Sequence, residues 1–416
     1  MYKKAVIISS IASNQGKTIL TAALLRRFKD IVTPFKIGPD FIDPQFHEKI
    51  CNRPSINLDI YISSKEGVKW LFKKYRGAFS VIEGVMGYYD GMDKQSSAYD
   101  ISKLLKIPVV LVLDASGSYI TLSAVIKGIR EFRKDSFIKG VVLNRVSSKN
   151  HYLLIKKEIE KNFKDLEVLG WIRKDLESLN SRYLGLDLRD LSKMDKISRE
   201  VLENVDVGKI ARLGSCGGLE VKSFKEKRVL DKKAVIVNDS CFSFLYRDNV
   251  EYLKELFREV CFVSSERDEE IPKDAGFIFL PGGYVESEDC YLKIKDSKRF
   301  RDSLIDAANR KVSIYGECAG LLYLSNRVDD KKMSGILDID FTLQNKRVRL
   351  GYYYDQKGVK GHAFHYSKPL NPPKGELLYK EGGKEKDIGA WREDNIYATY
   401  LHTMFRFNKE SIWDLL

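Results

Sequence analysis

Cys318 stands in Tyr315-Gly316-Glu317-Cys318-Ala319-Gly320, directly after a short apolar run. Small residues beside a cysteine on a strand-to-helix turn leave the thiol uncovered. The backbone N–H groups of the helix start can lower its pKa and hold an oxyanion. His402, in Tyr400-Leu401-His402, is a candidate base for that thiol. Far upstream, Ser13-Asn14-Gln15-Gly16-Lys17-Thr18 follows another apolar run. The N–H groups of such a loop, with the dipole of the helix it opens, bind phosphate. Lys17 would reach the terminal phosphates, and the Thr18 hydroxyl would hold Mg²⁺. One polypeptide therefore carries a phosphate-handling part and a covalent-catalysis part, the pairing expected of a nucleotide-driven reaction fed by a hydrolytic one.

The loop departs from the full GxxxxGK[ST] pattern, because Ile11 stands where the first glycine belongs. A chance Gly-Lys-Thr at a helix start would give the same residues, but the strand-loop-helix context favours phosphate. Two acidic segments add weight. Lys36-Ile37-Gly38-Pro39-Asp40-Phe41-Ile42-Asp43-Pro44 and Glu83-Gly84-Val85-Met86-Gly87-Tyr88-Tyr89-Asp90-Gly91 each follow a strand-like run. Carboxylates at the C-terminal ends of parallel strands face the ligand crevice, and Mg²⁺ takes one or two of them together with phosphate oxygens. Asp40 and Glu83 are the expected metal ligands beside Thr18. Either alone could be a helix cap or a turn residue.

The elements that must position these groups alternate between strand and helix. Strands are expected at 5–10, 31–37, 79–82, 107–114 and 137–143, with a helix from Lys17 to about Lys29. That alternation predicts a parallel, doubly wound α/β sheet. Residues 186–232 change to a charged, weakly periodic, glycine-punctuated stretch, and the linker is placed near Glu220 to Lys233. New strands are expected at 234–237, 276–280 and 312–315, the last feeding Cys318. Beyond Leu350, tyrosine-rich alternating runs suggest antiparallel strands. The domains are expected at 1–190 and 233–416, with a charged connecting segment at 191–232.

At 416 residues the chain is long enough for two or three cores. No apolar run approaches the roughly 20 residues that span a bilayer, and the N-terminus enters a strand-like run without a cleavage site, so a cytoplasmic protein with no membrane partner is expected. The six cysteines form no CxxC pair, which argues against a zinc site or a disulfide framework. The formal net charge of +13 comes from lysines and arginines scattered among acidic residues. It fits a solvated surface or attraction of a polyanionic substrate; nucleic-acid binding is the least supported reading.

These motifs resemble those of the cobyrinic acid a,c-diamide synthases. The resemblance is carried by the N-terminal loop, Glu83-Gly84-Val85-Met86-Gly87, Arg182-Tyr183-Leu184-Gly185-Leu186 and Leu280-Pro281-Gly282-Gly283-Tyr284. Glu317-Cys318-Ala319-Gly320, Gly361-His362-Ala363-Phe364-His365-Tyr366-Ser367 and Tyr400-Leu401-His402 complete it, in the family's order, from about Val6 to Phe405. It implies a first domain similar to dethiobiotin synthetase, a P-loop relative, and a second similar to a class I glutamine amidotransferase working with a Cys–His pair. It implies ATP- and glutamine-dependent conversion of the a- and c-carboxylates of a polycarboxylate tetrapyrrole to amides, through an acyl phosphate. Nickel sirohydrochlorin is an alternative substrate to cobyrinate, and a cobyric acid synthase-like enzyme an alternative relative. A non-enzymatic, ATP-switched partition protein is opposed by the presence of both Cys318 and His402. Such folds often pair as homodimers.

The resemblance also implies roles. Ser13, Asn14, Gln15, Gly16, Lys17 and Thr18 would bind ATP, with Asn144 at the base. Asp43 and Asp90 would order the substrate carboxylate or a further part of the metal site, and Gly283 and Ala319 would form the oxyanion hole. Tyr183 stands in place of the family's usual histidine, a departure that bears on tetrapyrrole contacts there; Ala363 and Val285 replace a usual glutamate and proline, and neither touches the thiol chemistry directly. His362 and His365 are spaced three apart, so on a strand they point to opposite faces and cannot chelate one metal together; one is expected buried and hydrogen-bonded. His151 reads as a loop or helix-cap residue, and His47 as either surface or crevice.

Overall fold

The computed structural model describes residues 3–176, 181–182, 185–186, 191–370 and 372–416. Tyr183 and Leu184 of the Arg-Tyr-Leu-Gly-Leu motif lie outside them. The chain forms two compact units, Met1–Ser223 and Phe224–Leu416.

In the first unit, strands β1 (Lys4–Ser10), β2 (Val32–Ile37), β3 (Ile56–Leu58), β4 (Phe79–Glu83), β5 (Val109–Asp114), β6 (Ile138–Val146) and β7 (Glu167–Arg173) form one sheet in the order β3-β2-β4-β1-β5-β6-β7. Every pairing in it is parallel. Ala5 to Ile8 and Val109 to Leu113 are wholly buried, which is why these strands read as unbroken apolar runs instead of alternating ones. Helices α1 (Lys17–Arg27), α2 (Ile42–Cys51), α3 (Ile60–Tyr75), α4 (Ala98–Leu105), α5 (Thr121–Phe132) and α6 (Lys149–Asn162) connect successive strands. Because β2, β4 and β1 are neighbours, the loops after them emerge side by side at the strands' C-terminal ends.

The stretch expected to connect the domains begins instead as part of this unit. Helices α7 (Leu191–Asn204) and α8 (Val207–Leu213) bury Met194, Ile197, Val201 and Ile210 in the same core as Val6 and Val110. Ser215 N then donates to Ala5 O, so the first unit holds its chain well past residue 190. The charges that suggested a linker lie on the outer faces of amphipathic helices.

The second unit has a ten-stranded sheet. Strands β8 (Leu230–Val237), β9 (Phe257–Val263), β10 (Ala275–Leu280), β11 (Ser313–Glu317) and β12 (Ile396–Thr399) are parallel, in the order β9-β8-β10-β11-β12. The sheet continues from β12 through antiparallel strands at Lys386–Glu393, Glu376–Lys380, Arg349–Asp355, Lys360–His365 and His402–Thr403. Antiparallel pairing beyond Leu350 matches the alternating tyrosine-rich pattern. Helix α9 (Ala319–Leu324) follows β11 directly. Among the described residues, no helix is long and apolar enough to cross a membrane.

Candidate active site

In the first unit the loop after β1 turns through Asn14 (φ 60°) and Gly16 (φ 97°) into α1. Gly16 is required twice over: its backbone is left-handed, and a Cβ there would lie 2.5 Å from Asn144 Nδ2. Asn144, at the end of β6, donates from Nδ2 to Gln15 O (2.8 Å), and Gln15 Oε1 accepts from Asp114 N (3.0 Å). Asn144 thus grips the loop's backbone. Arg145 ties the loop to the same strand end through Asn14 O (3.0 Å) and Asp114.

Lys17 Nζ donates to Ser10 Oγ (2.9 Å), Ala12 O (3.1 Å) and Met86 O (2.6 Å), so all three of its hydrogens have protein acceptors. Burial, followed by the charge of Lys36, lowers its pKa to about 8. Thr18 Oγ1 donates to Glu83 Oε1 (2.7 Å). Glu83 is buried and also meets His47 Nε2 (2.8 Å) and Lys36 Nζ (3.4 Å). Burial alone would raise its pKa, but Lys36 and His47 outweigh that and hold it below the usual carboxylate range.

Lys36 itself is bonded to Asp43 and lies 3.5 Å from Asp40 Oδ2. Burial disfavours its charge, yet Asp43, Glu83 and Asp40 together keep its pKa above the ordinary lysine value. Asp43 is pushed up, by burial first, against the pull of Lys36. Asp40 Oδ1 caps the backbone N–H groups of Ile42 (2.8 Å) and Asp43 (3.1 Å), leaving Oδ2 toward the lysine. Asp90 acts on Lys17 from the turn after β4, its charge raising the lysine's pKa alongside those of Glu83 and Asp43. It is exposed, and its Oδ2 accepts from Gly87 N (2.7 Å), stabilising the turn after β4.

Lys36 and His47 complete this cluster; the sequence gives no role to Lys36 and leaves His47 between surface and crevice. Lys36 lies in an apolar strand and looks like a snorkelling surface lysine; His47 is wholly buried, bonded to Glu83 and Ser55 Oγ (3.1 Å), not on the surface. The residues that could hold a divalent cation are Thr18, Asp40, Asp43 and Glu83. All offer oxygen, and three carboxylates face a single buried ammonium, a hard and electron-rich donor set of the kind Mg²⁺ takes.

In the second unit, Cys318 has φ 48° and ψ −98°, a strained conformation at the strand-to-helix corner. Its neighbours must be small. A Cβ on Gly320 would lie 2.1 Å from Leu280 O, and one on Gly316 would lie 2.9 Å from Leu324 Cδ1. Cys318 N donates to Thr399 O (2.8 Å), joining the corner to β12. The thiol is buried, and burial, then the charges of Glu286 and Glu317, raise its pKa; the N–H of Ala319 acts in the opposite direction.

His402 comes three residues after the end of β12 and is buried. Its Nδ1 lies 3.4 Å from Glu317 Oε2. A Cβ on Gly282 would lie 2.2 Å from His402 Cε1, and one on Gly283 would lie 1.9 Å from Cys241 O. The Pro281-Gly282-Gly283 turn after β10 is therefore pressed against the imidazole on one side and the loop after β8 on the other. Since β10, β11 and β12 are adjacent, Gly283, Cys318 and His402 all follow neighbouring strand ends. Glu286, later in the same turn, has a buried Oε2 with no hydrogen-bond partner, and burial raises its pKa to about 7.

The remaining histidines fall as their spacing implies. His365 is buried, bonded to Ser367 O (2.9 Å) and Arg349 (3.2 Å), and stacked on Tyr400. Burial and then Arg349 lower its pKa to about 3, so it stays neutral. His362 is half-buried and pairs across strands with His402. His151 lies in the first turn of α6, where its backbone N–H donates to Ser148 Oγ (3.2 Å), the residue that caps the helix.

Residues 6–183 match the model of the CobQ/CobB/MinD/ParA nucleotide binding domain, and residues 233–410 match that of the CobB/CobQ-like glutamine amidotransferase domain. Over nearly the whole chain the protein is similar to proteins named cobyrinate a,c-diamide synthase. That of Saccharolobus solfataricus is 35% identical, over 97% of this chain and 98% of the relative. Those of Fusobacterium nucleatum (33%; 97% and 97%) and Clostridium tetani (34%; 99% and 99%) are comparable.

Proposed function

The chain belongs to the family of cobyrinate a,c-diamide synthases, and we propose that it amidates the a- and c-side-chain carboxylates of cobyrinic acid, using glutamine and ATP. It is a glutamine-dependent, amide-forming ligase with a nucleotide-binding domain. The observation that supports this reading most is that one chain carries both a Gly-Lys-Thr loop that opens a helix and a cysteine on a strained corner whose preceding residue, Glu317, lies against His402.

A carboxylate is a poor electrophile. The first unit would transfer the γ-phosphoryl group of ATP to it, giving an acyl phosphate and ADP. The backbone donors of Ser13 to Gly16 cradle the phosphates, and Lys17 gives up its three protein acceptors to pair with them. Asn144 keeps the loop in shape at the edge where the base would lie. Thr18, Glu83 and Asp40 would hold Mg²⁺, which supplies neutralisation of phosphate charge. Asp43, held by Lys36, and Asp90, which fixes the Gly87 turn, border the place for the substrate carboxylate.

In the second unit the Cys318 thiolate would attack the side-chain amide carbon of glutamine. The N–H groups at Gly283 and Ala319 stabilise the oxyanion, and His402 passes the proton to the leaving ammonia. Water then hydrolyses the thioester to glutamate. The ammonia displaces phosphate from the acyl phosphate and leaves the amide.

The test uses purified protein with cobyrinate, ATP and either nitrogen source, read by product mass. Cys318→Ala is expected to abolish glutamine-supported amidation and spare the ammonia-supported reaction. Lys17→Ala is expected to stop both. Full ammonia-supported turnover by Lys17→Ala would refute phosphoryl activation at this loop.

A further inference from the structure

The thiol at Cys318 has a difficulty that the Cys–His pair alone does not resolve. Burial and two nearby carboxylates all oppose its ionisation. A histidine that takes the proton becomes a buried cation, and a buried cation needs a fixed counter-charge. Among the described groups of this site, one buried carboxylate meets the imidazole: Glu317, whose Oε2 lies 3.4 Å from His402 Nδ1. Glu317 is 1% exposed and His402 2%.

The surroundings fix both partners. Glu317 is the last residue of β11, paired with Thr399, and its Oε1 accepts from Thr403 N (3.4 Å), the residue after His402. The Nδ1–Cε1 edge of the imidazole rests on Gly282, where no side chain fits. His402 is therefore clamped between a strand end and a glycine turn, with Nδ1 toward a carboxylate. The residue that orients the base is also the residue that precedes the nucleophile, so one strand end sets both.

We propose that Glu317 is a positioning residue for glutamine hydrolysis: it accepts a hydrogen bond from the Nδ1–H of His402, fixes the tautomer that leaves Nε2 as the base, and stabilises the imidazolium once Cys318 has lost its proton. This rests on Cys318 being the nucleophile. The proton balance is closed. The thiol proton goes to Nε2 as the C–S bond forms, and returns from Nε2 to the departing nitrogen as the C–N bond breaks. Burial raises the pKa of Glu317 and His402 pulls it down; the imidazolium, once formed, favours the carboxylate, the role a buried acid plays behind a catalytic imidazole in hydrolases generally. At 3.4 Å the contact is long for a hydrogen bond; positive charge on the ring would draw it in, as charge-assisted bonds are shorter than neutral ones.

Glu317→Gln keeps the side chain's size and tests this directly. Glutaminase kcat is expected to fall by at least about 100-fold while the KM for glutamine stays within about 3-fold. In a His402→Asn background the same substitution is expected to change residual turnover by less than about 3-fold, because its effect runs through the imidazole. A kcat for Glu317→Gln within about 3-fold of the native value would overturn the proposal. So would an equal loss in both backgrounds, which would mark Glu317 as a scaffold for Thr403 alone. If the glutamine variant shows no cooperative melting, Glu317→Asp takes its place: it retains the charge at a longer reach and is expected to lower kcat without moving KM, and native kcat would count against the idea. Undiminished glutamine hydrolysis by Cys318→Ala would instead bring down the nucleophile assignment.

Discussion

Glu83 in the first unit receives a hydroxyl, an imidazole and an ammonium, whereas Glu286 in the second leaves a buried oxygen with no partner. Both carboxylates belong to loops or strand ends at the C-terminal edge of a parallel sheet. The first is held ionised, below the usual range. The second is pushed toward neutrality, to about 7. The contrast follows the chemistry each place must do. A site for phosphate and a hard cation works with permanent charges, so it is assembled with counter-charges already in position. A thiol site changes charge during its cycle, and here its neighbours oppose the charged form until proton transfer occurs.

The most damaging way to break this contrast is Lys36→Met. It would leave Asp43, Glu83 and Asp40 facing each other without their buried cation, and a loss of about 3–5 kcal/mol in denaturant unfolding is expected. Little change would mean that the carboxylates are already compensated elsewhere.

Glu286→Gln sharpens it from the other side. A carboxyl whose folded pKa is raised to about 7 is protonated in the fold while ionised in the unfolded chain. The native protein therefore loses stability as pH climbs from the ordinary glutamate value through about 7. The glutamine variant escapes that loss, so it should be more stable than native by about 1–3 kcal/mol at pH 8 and no more stable at pH 4. Its Cys318 should also alkylate faster at a given pH, since one charge opposing the thiolate is gone.

The smallest effect concerns Lys17. With a pKa lowered to about 8, it is partly neutral in mildly alkaline solution. Phosphate oxygens favour the ammonium, so nucleotide binding near pH 8.5 should take up a fraction of a proton, seen as a buffer-dependent calorimetric heat, and affinity should decline above pH 8.

Much of this arrangement was legible beforehand because small residues and nucleophiles leave local signatures. Gly-Lys-Thr after an apolar run, and cysteine among Gly, Ala and Gly, each name a corner without reference to the rest of the chain. What stayed hidden depends on distant partners. Lys36 sits in a strand where a lysine ordinarily marks an edge, and only the carboxylates of two following loops keep it inside. His47 offers no pattern at all until Glu83 is beside it. Residues 191–213 read as a connection because their charge density outweighs a modest apolar stripe, and the surface of the first sheet is what gives that stripe a home. Glu317 stands within the Cys318 motif, yet its contact with His402 spans two strands and no spacing rule joins them.

The three bonds of Lys17 carry one last implication. The ammonium is held by one hydroxyl and two carbonyls of the protein itself, and an incoming anion must match what it displaces. A ligand presenting one oxygen at a time exchanges a full set of acceptors for a single one and is turned away. A polyphosphate offers several at once. Exchange at Lys17 thereby favours anions that bring several points of attachment at once.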